Sequence, residues 1–250
     1  MSGHSKWATI KHKKATTDAR RGKLFSKILK EITVAARVGG GGDAKGNPRL
    51  RAAILEARSN SVPNDNIERA IKKGTGEIAS EVYEEVIYEG YAPAGVAILV
   101  EAATDNRNRT TGEIRHTFAR NGGNLGEAGC VAWIFHRRGY FVIDKSVMDE
   151  ERFMELALEL GADDVAIEED VYEIYTPMEG YIGTQEDLER RGVPTVAKQL
   201  AMVPQTTIDI PADKVGQVLR LIEALEEHDD VQHVWSNVNV DEKVLEAQSR

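Results

Sequence analysis

The sequence predicts a multidomain chain of α and α+β parts: a basic N-terminal three-helix domain, then two α+β units, one inserted in the other. Three observations predict it. Charge is split along the chain. Residues 1–75 carry seventeen Lys/Arg against six Asp/Glu, and the remainder carries fifteen against thirty-five, a contrast hidden by the overall net charge of -9. Near Glu77 the apolar spacing changes from three and four residues to strand-like runs. From Gly139 the elements read β-α-β-β-α-β, the split βαβ order, and the flanking β-β-α-β and β-α-β segments can complete a second unit around it. The expected division is 1–78 as the helical domain, 79–136 with 205–250 as one α+β domain, and 137–204 as the inserted one.

The elements follow in order. Between Asp18 and Val38, Leu24, Ile28, Ile32, Ala35 and Ala36 recur at helical spacing. GGGGDAKG (39–46) breaks the helix, and Asn47-Pro48 restarts it with a capping amide and a pre-set first turn. That second helix runs to about Asn60 and buries Leu50, Ile54 and Ala57. A third groups Ile67, Ala70 and Ile71, with Gly74 expected as its C′ stop. VYEEVIYEGY and GVAILVEAAT read as a hairpin. Thr110-x-x-Glu113 reads as a capping box opening a helix to about Arg120, and CVAWIF (130–135) as a buried strand. GYFVID is the next strand, and a helix at 149–160 carries Phe153, Leu156 and Leu160 on one side. Strands at 164–168 and 171–176, a helix at 184–191 and a strand at 196–203 complete the inserted unit. The tail adds TTIDI, a helix at 212–227 and VQHVWSNVNV.

Composition removes several function classes. Hydrophobic residues at 41% with 29% charged describe a folded chain. No apolar run approaches the roughly 18–20 residues of a membrane span, and no apolar h-region follows the basic start, so a cytoplasmic location is expected. Cys130, the single cysteine, excludes an intrachain disulfide and reads as a small buried hydrophobe. GGGGDAKGN lacks the Gly-Lys-Ser/Thr of a phosphate-binding loop, and the six histidines show no metal-ligand spacing. Trp133, Phe135, Tyr140 and Phe141 are expected in the core. With no nucleophile–base or acid–base pair in view, no catalytic residue, cofactor, metal or small-molecule substrate is expected.

The positive charge points instead to nucleic acid. Lys6, Lys11, His12, Lys13, Lys14, Arg20, Arg21, Lys23 and Lys27 offer point charges and planar forks suited to phosphate oxygens. Two other readings stay open: the helical lysines as a solvated face, or the basic segment docked on the chain's own acidic parts. A second constellation, TDNRNRTTGEIRH (104–116), places Arg107, Asn108, Arg109 and Arg115 near a helix N-terminus, where anions are favoured. The alternative there is ordinary turn and capping chemistry.

GHSKWATIKHKKATTDARRGKLFSKILKEI, NIERAIKKGTGE, YEGYAPAGVAILVEAATDNRNRT and GGNLGEAGCVAWIF together resemble the YebC/PmpR family over essentially the whole chain. The resemblance implies α+β domains of ferredoxin-like type and a non-enzymatic role in gene expression. It implies a DNA-binding transcriptional regulator or, alternatively, a translation factor on ribosomal RNA. The expected partners are thus DNA or the ribosome, without a membrane, for a monomer or homodimer.

Overall fold

The computed structural model describes residues 18–240, with side chains from residue 21 onward. These residues divide into two compact units: 18–130 with 216–234, and 131–215 with 235–240.

The first unit begins with three helices: α1 (Asp18–Val38), α2 (Pro48–Ser59) and α3 (Asn64–Thr75). Their apolar stripes meet in one core containing Ile28, Ile32, Ala35, Leu50, Ala57, Ile67 and Ala70. Asn47 caps α2 by accepting from the Leu50 N–H at 3.0 Å, and its amide donates to the Ala35 carbonyl at 2.8 Å. Asn47 therefore starts one helix and ties it to another. The third helix continues through Gly74 and is closed by Gly76, whose φ of 84° is the left-handed cap conformation. A Cβ on Gly74 would stand 2.4 Å from the Thr33 carbonyl oxygen and 2.7 Å from the Ala36 Cβ. Gly74 is there for close helix packing, and it does not end the helix.

The same unit holds a four-stranded sheet: β1 (Glu84–Tyr91), β2 (Ala97–Thr104), β3 (Asn124–Leu125) and, after the chain returns, β9 (Val231–Ser236). The spatial order is β3-β1-β2-β9, and β1 pairs antiparallel with β2 and β3. Helix α4 (Arg107–Arg120) lies on this sheet through Thr110, Ile114 and Phe118, and α7 (Ala212–Glu226) leads into β9. Asn106, not Thr110, caps α4 by accepting from the Arg109 N–H. The capping-box spacing puts the start one turn late because Thr110 turns its hydroxyl inward.

The second unit is built on β4 (Phe135–Asp144), α5 (Glu150–Glu159), β5 (Asp164–Ile167), β6 (Val171–Pro177), α6 (Tyr181–Arg190) and β7 (Ala197–Pro204). Its antiparallel sheet has the order β5-β6-β4-β7, as split βαβ connectivity requires. Helix α5 stacks Phe153 on Tyr172 at 4.2 Å between ring centroids, and α6 stacks Tyr181 on Phe141 at 5.3 Å. Buried Glu173 accepts from the hydroxyls of Tyr140 and Tyr175. Short β8 (Ile208–Asp209) and β10 (Val238–Asn239) form a parallel pair.

The segment CVAWIF is not a strand. Residues 132–134 form a 3₁₀ turn, and β4 starts at Phe135 and absorbs GYFVID. Phe135, Tyr140 and Phe141 are buried as expected, but Trp133 is 67% exposed, because the turn aims it out of the alternation a strand would impose.

Candidate nucleic-acid interface

Lys6, Lys11, His12, Lys13, Lys14 and the side chain of Arg20 lie outside the described residues. Four described basic residues of α1, Arg21, Lys23, Lys27 and Lys30, have partners. Arg21 sits over the Phe25 ring at 5.5 Å from its centroid. Lys23 donates to the Glu227 carbonyl at 3.1 Å, and Lys27 to the Glu226 carbonyl at 2.6 Å. Lys30 donates to the carbonyls of Ala103 and Asp229 and to the Asp230 carboxylate at 3.1 Å. The spacing of four and three residues puts all three ammonium groups on one helix edge. That edge meets the C-terminal end of α7, where carbonyls lack intrahelical partners and the helix dipole is negative. Docking on the chain's own polar groups thus describes Lys23, Lys27 and Lys30 better than a solvated face.

Asp230 is the centre of this arrangement. Its carboxylate accepts from Thr110 at 2.7 Å, Thr104 at 3.2 Å, Lys30 at 3.1 Å and Arg109 at 2.6 Å. Its backbone carbonyl accepts from the Ala103 N–H. Burial alone would push its carboxyl up; donors from Thr110, Arg109 and Lys30 outweigh that and hold it at about 2. Arg109 also reaches Asp105 at 2.9 Å, and its pKa is raised by those hydrogen bonds, Asp230 first. A second clamp joins three elements: Arg49 binds Glu31 of α1 and Glu85 of β1, each through two hydrogen bonds.

The 104–116 constellation therefore separates into two roles. Arg109 and Thr110 turn toward Asp230 and hold the α4 start against the sheet. Arg107 makes an exposed ion pair with Glu84, and Asn108 and Arg115 are exposed. Arg107→Ala is expected to change unfolding free energy by less than about 0.5 kcal/mol, as exposed pairs do. Arg109→Ala is expected to lower the melting temperature measurably more, a contrast that thermal denaturation of the two variants reads directly. Sequence reasoning missed Lys30 and Asp230 as a pair; no local motif marks them.

The ligand atoms of Glu113, His228 and Asp230 fall within 4.8 Å of one another. His228 is already bonded to Glu113 at 2.9 Å, and the Asp230 carboxylate is filled by two cations and two hydroxyls. A metal ion would have to displace Lys30 and Arg109, so these residues do not fit one. Burial and nearby Glu89 push the Cys130 thiol up, away from nucleophilic use. No helix among the described residues is long and apolar enough to cross a membrane.

Comparison with known proteins identifies the family. Residues 5–77 match the family model described as the TACO1/YebC protein N-terminal domain, and residues 83–238 match the TACO1/YebC second and third domain. A "Probable transcriptional regulatory protein" of Desulfotalea psychrophila is 55% identical over 247 residues, covering 98% of each chain. One of the same description from Geobacter sulfurreducens is 53% identical over 246 residues, covering 98% of this chain and 99% of its own. The crystal structure of a conserved hypothetical protein from Aquifex aeolicus superposes with a TM-score of 0.84 at 51% identity, covering 94% of this chain and 97% of its own. With the helical region and the sheet-bearing regions each matched over almost their full length, the chain belongs to the TACO1/YebC family.

Proposed function

We propose that this chain is a non-enzymatic, DNA-binding regulator of transcription in the cytoplasm that uses its basic N-terminal region for phosphate contacts. The observation that carries the reading is the concentration of positive charge: seventeen basic against six acidic side chains in residues 1–75 of an otherwise acidic chain. The names of the relatives support a regulatory role. The engagement of Lys23 and Lys27 with α7 shifts the weight of the phosphate reading to Lys6, Lys11, His12, Lys13, Lys14, Arg20 and Arg21, and to exposed Arg107, Asn108 and Arg115.

Phosphate neutralisation releases counterions, so binding must weaken with salt. Changing Lys11, Lys13 and Lys14 together to Ala is expected to make the log–log salt slope on duplex DNA shallower by up to about 2.7, at about 0.9 for each phosphate no longer neutralised. The helical circular dichroism should persist, because these lysines precede the apolar periodicity that begins near Leu24. An unchanged slope on duplex DNA would remove the phosphate role of this segment. A slope that changes on ribosomal RNA alone would transfer the function to translation.

A further inference from the structure

We propose that α4 is a groove-entering helix whose outward face lies in the major groove of duplex DNA, with Gly112 at the point of closest approach. The inference rests on the DNA-binding reading above and names the element that would make the approach.

Helix α4 buries Thr110, Ile114 and Phe118. Its opposite side exposes Asn108, Gly112, Arg115, His116, Ala119 and Arg120. Of the four arginines in residues 107–120, Arg115 and Arg120 lie on this side, and their charge is complementary to phosphate. Among the described residues, the ion pairs of this helix are made by Arg107, Arg109 and Glu113, which leaves Arg115 and Arg120 outside them. This differs from the lysine edge of α1, whose charges already have partners.

Gly112 sharpens the argument. Glycine inside a helix weakens it relative to alanine by about 1 kcal/mol. Among the described residues nothing requires a glycine here: a Cβ at Gly112 would meet nothing within 4 Å, and its φ is not in the left-handed region. The missing side chain lowers the helix profile between Asn108 and Arg115 on the exposed side. Ala119, seven residues on, keeps that profile low. Arg115 then stands one turn beyond the low point to reach phosphates. Asn108, at the exposed start of the helix, carries the amide that pairs with the adenine edge. The B-form major groove, about 12 Å wide, admits a helix of this diameter, whereas the A-form RNA major groove is too narrow for one. Duplex DNA is therefore the occupant that fits.

The test uses the full chain and fluorescein-labelled random-sequence duplexes of about 30 base pairs, as DNA and as RNA, at about 0.1 M salt. Gly112→Gln is expected to hold or raise the melting temperature while weakening DNA binding at least about tenfold. Gly112→Ala should raise the melting temperature with a smaller loss of binding. Arg115→Gln and Arg120→Gln should each make the DNA salt slope shallower by about 0.9. A wild-type chain that binds no DNA would defeat the functional reading beneath the proposal. A wild-type chain that binds DNA with Gly112→Gln binding equally well would overturn the α4 assignment alone. An equal tenfold loss on duplex RNA would overturn the groove assignment.

Discussion

Asp230→Ala is expected to destabilise the first unit by about 3–5 kcal/mol, the cost of removing one partner from a buried ion pair. The magnitude follows from what is left behind. Lys30, whose side chain is 14% exposed, would lose its carboxylate, and the hydroxyls of Thr104 and Thr110, both buried, would lose an acceptor. The same carboxylate links α1, the end of β2, α4 and the turn before β9, so its loss loosens four elements together. Asp230→Asn, which keeps the volume and discards the charge, should fall between wild type and Asp230→Ala. Acid should reproduce part of the effect. The folded carboxyl ionises at about 2 against an ordinary value of 3.8. Its stabilisation is thus complete above the ordinary value and is lost as pH falls through about 2, a loss of about 2 kcal/mol. Urea titration of the full chain at neutral pH and at about pH 2 tests both statements. A shift in stability below about 1 kcal/mol for Asp230→Ala would mean that the network is decorative.

Network and helices differ in how far the sequence alone reveals them, for a physical reason. The α1 and α2 boundaries follow from apolar spacing and from Asn47-Pro48, which are local signals with local causes. The strand order of the second unit follows from alternation and from the split βαβ rule. Asp230 has no such signature. Its partners Lys30, Arg109 and Thr110 stand 200, 121 and 120 residues away, and only the topology brings them together. The same holds for Lys23 and Lys27, whose acceptors are backbone carbonyls about two hundred residues on and so invisible to any search for paired side-chain charges. The local misreadings have local explanations. Thr110 matches a cap motif, but its hydroxyl has a stronger acceptor in Asp230. CVAWIF has strand composition, but the chain enters β4 through a tight turn that takes up its middle residues.

Gly74 and Gly76 provide the most direct comparison between sequence pattern and packing. If Gly74 were the C′ residue, adding a side chain there would mainly introduce left-handed backbone strain, and Gly76 would tolerate substitution. The structure reverses this order. Gly74 is helical and buried, facing the Thr33 carbonyl and Ala36 Cβ of α1, whereas Gly76 holds φ of 84° and a Cβ there would have nothing within 4 Å. Gly74→Leu must push α1 and α3 apart at the point where the Gly74 Cα faces the α1 backbone. The expected loss is about 3 kcal/mol, the upper range for overpacking, even though leucine is the better helix former. Gly76→Ala meets no obstacle and bears only the left-handed strain, about 1 kcal/mol. Comparing the denaturation midpoints of the two variants with wild type gives the ranking. A Gly76→Ala loss exceeding that of Gly74→Leu would show that α3 ends at Gly74 in solution and that the α1–α3 crossing has room to spare.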